Sequence, residues 1–318
     1  MSDKLPLEVT PEMIGSSTSP EFSALEPAEG DDVTDILPSQ MLEAEAAGQT
    51  DVGRERQHNE DFFFISHQFT QQSNPKRHAV SLRGLYVLCD GMGGHAKGEV
   101  ASALATEAIV QQINQRWQDD ALPSHDSLME SVLAANQAIY KVNEGKGARS
   151  SQDRMGTTMV LALFQDTEVL LAHVGDSRIY ALTASQGLEQ LTVDHEVGQQ
   201  EIQRGIDPKV AYGRSDAYQL TQALGPRKNG EIMPEIASLT IAEDTVLLLC
   251  SDGLTDHDLL ETHCSTHLMP ILDHRTGLQQ GVNQLINLAN QYNGHDNVTV
   301  LAIRIKVHPQ QQNIRTGH

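Results

Sequence analysis

The chain has 318 residues, 39% of them hydrophobic, and a net charge of −21. That length can fill a sizeable core, and the acidic balance argues against a nucleic-acid partner, because phosphate backbones demand Lys and Arg. No run of about 18 apolar residues occurs, so neither a membrane span nor a membrane partner is expected. The N-terminus lacks the basic and apolar regions of a secretory signal. The cysteines Cys89, Cys250 and Cys264 are odd in number and form no C-x-x-C pair, which fits a reducing compartment and a cytoplasmic location. Cys89 and Cys250 end apolar runs and read as buried thiols.

Residues 1–48 hold eleven Asp and Glu against one Lys, a net of −10, and read as a disordered acidic tail with a short helix around Ser39–Ala47. A folded domain follows over 49–307, and 308–318 is a polar C-terminal tail. Strand patterns lie near 61–66, 79–89, 157–164, 168–174, 178–183, 236–241, 245–250 and 297–307. Helical patterns cover 98–117 (Ala101, Leu104, Ala105, Ala108 and Ile109 on one face), 125–143 (Leu128, Val132, Ala135, Ile139) and 277–292 (Leu278, Val282, Leu285, Ile286, Ala289). Strands cluster with few β-α-β alternations, which predicts an α+β fold with antiparallel sheets. The polar, Gly- and Pro-containing stretch 197–230 reads as an irregular flap.

Several apolar runs stop at Asp. Leu85–Cys89 ends in Asp90-Gly91, Val246–Cys250 in Ser251-Asp252-Gly253, and Val169–Val174 in Gly175-Asp176-Ser177, while Asp296 precedes Val298–Ile305. One Asp-Gly after a strand is ordinarily a turn. Several such carboxylates gathered at one end of a fold repel one another unless a cation neutralises them. Oxygen-only ligands select Mg²⁺ or Mn²⁺ over Zn²⁺. Ahead of the first strand, Arg54 and Arg56 precede the Glu60-Asp61 pair; a guanidinium forks onto phosphate oxygens. Next to a carboxylate metal site, this makes a phosphoester-hydrolysis kit. No P-loop, thiolate-phosphatase spacing, D-x-D-x-T or H-E-x-x-H run is present.

Seven motifs in order carry a resemblance: T-D-V-G-R-E-R-Q-H-N-E-D (50–61), V-L-C-D-G-M-G-G-H (87–95), M-G-T-T (155–158), V-G-D-S-R-I-Y (174–180), L-T-V-D-H (191–195), C-S-D-G-L-T-D (250–256) and G-H-D-N-V-T-V (294–300). Over about residues 48–307 the chain resembles the PPM (PP2C-type) metal-dependent Ser/Thr protein phosphatases of compact bacterial type. The resemblance implies a central antiparallel β-sandwich flanked by helices, in an α-β-β-α arrangement. It implies a catalytic centre of two Mn²⁺ or Mg²⁺ ions with a third, weakly bound. By motif match, Asp90 bridges two metals, the Gly91 carbonyl binds one, and Asp252 and Asp296 bind the other. Glu60 and Asp61 hold metal-bound water, Arg56 takes the phosphate, and Asp176 and Asp256 join Asp252 around the third ion. His195 supports the flap base. Met92 stands where animal members have a general-acid His; either His95 or a metal-bound water takes that role, and in the second case His95 only orders the Gly-rich loop. The implied activity is hydrolysis of phosphoserine and phosphothreonine in phosphorylated proteins by direct attack of a metal-bridging hydroxide, performed by a monomer. The alternative is a regulatory pseudo-phosphatase that uses the fold to bind a partner.

Overall fold

The computed structural model describes residues 41–74, 77–93, 97–118, 121–145 and 154–308. Eleven strands build two antiparallel sheets. One sheet runs β1 (Met41–Asp51), β11 (Val298–His308), β10 (Thr245–Cys250), β7 (Arg178–Thr183), β8 (Gly187–Gln190). The other runs β2 (Asp61–Asn74), β3 (Arg77–Met92), β5 (Met159–Gln165), β6 (Glu168–Val174), β9 (Glu235–Thr240), with β4 (Gly156–Thr157) paired to β3.

The central strands are apolar without alternation because each is buried on both faces. In β10, Leu247 and Leu249 point into the layer between the sheets, while Val246, Leu248 and Cys250 point to the helices. In β3, Tyr86 and Leu88 face the other sheet, and Leu85, Val87 and Cys89 face outward. Those outward faces are covered by α1 (Lys97–Arg116) and α2 (His125–Gly145) on one side. On the other side lie α8 (Leu278–Tyr292) and the short helices α5 (Asp252–Thr255), α6 (Leu259–His263) and α7 (Met269–Leu272). The expected α-β-β-α sandwich is therefore present. The expected stripes are as well: Ala101, Ala105 and Ile109, then Leu128, Val132, Ala135 and Ile139, then Leu278, Val282, Leu285, Ile286 and Ala289 are all buried.

Three expectations need correction. Residues 41–48 are neither tail nor helix but most of β1, which pairs with β11 over its full length, Met41 opposite His308 and Asp51 opposite Val298. The segment is rich in helix formers, but Ala44 and Ala46 pack on the core between the sheets, and Glu45 pairs with Arg304 at 2.8 Å. Tertiary pairing overrides its propensity. β11 likewise carries the folded chain to His308, one residue beyond the expected limit. Within 197–230 the backbone is ordered into α3 (Val197–Gln203) and α4 (Pro208–Ala211), and the segment is closed at its base by a bridge between Glu196 and Leu220. Residues 1–40 and 309–318 lie outside the described residues. None of the described helices is long and apolar enough to cross a membrane.

Candidate functional site

The carboxylates converge at one end of the sandwich. Asp61 and Asp90 sit opposite each other in the β2–β3 ladder, Asp252 follows β10, Asp296 precedes β11, and Asp176 follows β6. Arg56, Glu60, Asp90, Gly91, Asp176, Asp252 and Asp296 line one cavity of about 430 Å³. A smaller cavity of about 100 Å³ shares Asp176 and Asp252 as walls and adds Asp256, Asp194 and Arg178.

Each acid is held by its backbone. The M-G-T-T segment clamps Asp90: Thr158 N–H donates to the Asp90 carbonyl at 2.8 Å, and Thr157 Oγ1 donates to the same carbonyl at 2.7 Å. The Asp90 N–H in turn donates to Thr158 Oγ1 at 3.1 Å. Gly91 is fixed by close approach, because a Cβ there would collide with the Gly98 and Glu60 carbonyls. The Arg56 loop is tied to the start of β11 by Asn297, whose Nδ2 donates to the Val52 and His58 carbonyls, each at 2.9 Å, and whose Oδ1 accepts from Glu60 N–H at 2.8 Å. Gly53, at φ 80°, presses on the Asp296 carbonyl where no side chain fits.

The electrostatics are unbalanced. Arg56 is the one basic side chain among the residues described as lining the larger cavity; its Nη2 lies 2.5 Å from Asp296 Oδ2. Burial, reinforced by the neighbouring carboxylates, holds Asp90 and Asp252 well above the usual carboxylate range. Burial also pushes Asp61 up to about 6 and Asp176 up to about 7. Asp61 Oδ2 accepts from Thr299 Oγ1 at 2.6 Å and Ser251 Oγ at 3.0 Å, whereas Asp61 Oδ1 and Asp252 Oδ1 are buried without a hydrogen-bond partner. Buried carboxylate oxygens without donors are costly, and hard divalent cations with oxygen ligands fit this donor set.

The structure thus brings together Asp90, Gly91, Asp176, Asp252, Asp296, Glu60 and Arg56. Asp61 stands behind the cavity against Ser251 and Thr299 rather than on its wall. Asp256 reaches the smaller cavity, caps no helix with its side chain, and has His295 Nε2 at 3.1 Å from its Oδ2. Arg54 contributes its backbone N–H to the Gly294 carbonyl at 2.7 Å. His95 lies outside the described residues. Sequence reading quoted Thr158, Asn297, Arg178 and Asp194 as motif letters without giving them a task. Asn297 had one available signal: an Asn beside Asp296 at a strand start commonly serves backbone groups across a turn.

Comparisons with known proteins point to one family. The model of the family described as protein phosphatase 2C matches residues 56–290. The chain is 31% identical over 261 residues to the serine/threonine phosphatase stp of Listeria monocytogenes, covering 80% of this chain and 93% of the relative. It is 28% identical to protein phosphatase PhpP of Streptococcus pneumoniae, covering 80% and 94%. Among solved structures, the Mycobacterium tuberculosis serine/threonine phosphatase PstP/Ppp superposes with a TM-score of 0.66 at 31% identity, covering 83% of this chain and 99% of that one. The catalytic domain of PstP in complex with two manganese ions gives 0.61 at 30% identity, covering 84% and 100%. On a family model spanning most of the folded region, a relative above 30% identity and a shared sandwich, the chain belongs to the protein phosphatase 2C family.

Proposed function

We propose that this chain is a metal-dependent protein phosphatase that hydrolyses phosphoserine and phosphothreonine with Mn²⁺ or Mg²⁺ held by Asp90, the Gly91 carbonyl, Asp252 and Asp296. The observation that carries the reading is the buried carboxylate cluster, with partnerless oxygens on Asp61 and Asp252 and protonation favoured on Asp90 and Asp252 by burial and then by mutual repulsion. Divalent cations bound there supply Lewis acidity, acidifying water and offsetting charge on the phosphoryl oxygens.

The chain's own groups do the rest. Arg56, with its side chain 49% exposed at the cavity edge, exchanges Asp296 for the phosphoryl oxygens and holds them as their charge grows. Glu60, on the cavity wall, orients water and accepts its proton, and Asp61 supports the site from behind that wall. Cys89 is no nucleophile, because burial pushes its thiol up to about 12; in this proposal water attacks phosphorus directly, without a covalent phosphoenzyme. Asp176 and Asp256, which line the smaller cavity together with Asp252, would complete a third, weaker cation site. His95 is assigned the leaving-group proton from its sequence position alone. A monomer acting in the cytoplasm on phosphorylated proteins, away from nucleic acid and membrane, completes the proposal. The pseudo-phosphatase alternative finds no support, since every carboxylate of the set is present.

The test uses chelator-treated protein with p-nitrophenyl phosphate and with phosphoserine, phosphothreonine and phosphotyrosine peptides, with and without Mn²⁺ or Mg²⁺. Metal-dependent release from the Ser and Thr peptides is expected. Absence of release under every metal condition refutes the activity, and equal release from phosphotyrosine refutes the substrate class.

A further inference from the structure

His195 sits between two parts of the molecule, bonded to one through its ring and backbone and to the other through its backbone carbonyl. Toward the catalytic end it grips Gly175, the residue before Asp176, from both sides. The His195 N–H donates to the Gly175 carbonyl at 3.0 Å, and the Gly175 N–H donates to His195 Nδ1 at 3.1 Å. Toward the flap, the His195 carbonyl accepts from Thr221 N–H at 2.7 Å. Its neighbours continue the seam: Glu196 bridges Leu220, and Val197 N–H donates to the Gln219 carbonyl at 3.0 Å.

The ring itself is locked. It is stacked on His173 with centroids 4.7 Å apart, and its Nε2 lies 3.3 Å from Glu235 Oε1. Because Nδ1 accepts the Gly175 N–H, the proton of the neutral imidazole is on Nε2 and is directed at Glu235. Burial and the nearby His173 hold His195 below the usual imidazole range, which favours that neutral form. The same tautomer excludes an obvious alternative. His173, His195 and Glu235 offer ligand atoms within 4.8 Å of one another, as a His₂-carboxylate metal site would. A protonated Nε2 has no lone pair to give, so the cluster is a hydrogen-bonded support and not a metal centre.

We propose that His195 is a positioning residue that couples the flap to the Asp176 loop, so that flap placement sets the affinity of the cation site to which Asp176 belongs. The cation half rests on the third-site reading above; the mechanical half rests on the hydrogen bonds alone. Gly175 needs this hold because it turns at φ 108°, a conformation in which its neighbour Asp176 is aimed by backbone geometry. By reciprocity of linkage, a phosphoprotein that orders the flap on binding tightens the cation site, and the cation in turn favours the engaged flap.

Amide hydrogen exchange on chelator-treated protein reads the mechanical half without metal or activity. In His195→Leu, exchange should rise in residues 174–178 and in 217–222 together. In His195→Asn, whose Oδ1 can take the Gly175 N–H, protection in 174–178 should return. Mn²⁺ titration by calorimetry reads the cation half. His195→Leu should weaken the weakest class of sites about tenfold, the scale of one lost hydrogen bond to a buried group. It should add nothing in an Asp176→Ala background. If exchange stays at the wild-type level in either segment of His195→Leu, the coupling is overturned. Full additivity with Asp176→Ala overturns it as well. If both segments loosen but neither His195→Leu nor Asp176→Ala alters Mn²⁺ binding, the coupling stands and the third-site reading fails.

Discussion

Two polar centres share a wall at the end of the sandwich, and they solve the problem of buried charge in opposite ways. Asp194 is matched within the chain: Arg178 Nη2 lies 2.6 Å and Nε 2.9 Å from its Oδ2, Gln190 Nε2 donates to Oδ1 at 3.2 Å, and the guanidinium also reaches the Tyr180 hydroxyl at 3.1 Å. Asp90, Asp252 and Asp61, a few residues away in space, have no such cation; burial and one another push them toward protonation. The first centre is complete as folded and is structural. The second is complete only with ions from solution, and that incompleteness is what makes it a site. A charge balance, rather than the mere presence of acids, separates the two.

The largest effect should come from removing an unbalanced acid. Asp90→Asn or Asp252→Asn should cut turnover roughly 10³-fold, the several kcal/mol that metal-ion catalysis supplies. Both variants should remain folded. The same substitutions should raise the melting temperature of the chelator-treated protein. The sign follows from the shifts: an acid whose folded pKa is raised favours folding while protonated and loses that contribution as pH rises. With Asp61 going from 3.8 to about 6 and Asp176 from 3.8 to about 7, metal-free stability should fall between about pH 4 and 7. Differential scanning calorimetry across that range checks it; Asp252→Asn should flatten the slope and Mn²⁺ should abolish it in the wild type. Unchanged turnover in a folded Asp90→Asn protein would falsify the site.

The balanced centre should respond in stability first. Arg178→Met strands Asp194 in the interior and should cost about 3–5 kcal/mol by urea denaturation. Arg178→Met with Asp194→Leu should recover most of that loss, because two matched apolar groups leave no charge unpaired. A loss below about 1 kcal/mol for the single variant, typical of a surface pair, would erase the distinction between the centres.

Arg56 stands between the two cases, an exposed cation lent to Asp296. Because it already grips the ground-state phosphate in the proposed mechanism, Arg56→Ala should raise KM about tenfold and lower kcat less than threefold. Steady-state kinetics on p-nitrophenyl phosphate decide the split, and a fall confined to kcat would show that Arg56 acts only in the transition state.

Much of this was legible in the chain because apolar periodicity and Asp-terminated runs report burial directly. Strands 168–174, 178–183 and 245–250 match their expected bounds, since each carries an unbroken apolar stretch with a polar residue such as Glu168, Arg178 or Thr245 at its start. What escaped either depends on partners remote in sequence or is too short to register. β1 has Glu and Ala at all of its positions 43–47, and only pairing with β11, some 250 residues later, makes it a strand. β8, Gly187–Gln190, is a four-residue edge too short and polar to register. In the site, the acids announced themselves, whereas Asn297, Thr158 and the Arg178–Asp194 pair did not. Their roles lie in which backbone or carboxylate they meet, and spacing along the chain carries no record of that.

The smallest effect is expected from the most acidic segment, which sharpens the comparison from outside. Residues 1–40 carry nine Asp and Glu against one Lys. If bulk negative charge drew cations to the site, deleting them should weaken activation by Mn²⁺. If the unbalanced acids of the cavity suffice, added charge matters little, because fields in solvent are screened beyond about 8 Å at physiological ionic strength. Deletion of 1–40 should therefore change the Mn²⁺ concentration for half-activation less than twofold, with turnover of p-nitrophenyl phosphate unaltered. The cut must stop there. Removing residues through Ala47 as well takes most of β1, exposes the edge of β11 and deletes the Glu45 partner of Arg304, so that variant should fail to fold stably. A tenfold shift in Mn²⁺ response for the shorter deletion would mean that the acidic segment belongs to the catalytic unit, and that local charge balance is not the whole account of why one centre recruits ions and its neighbour does not.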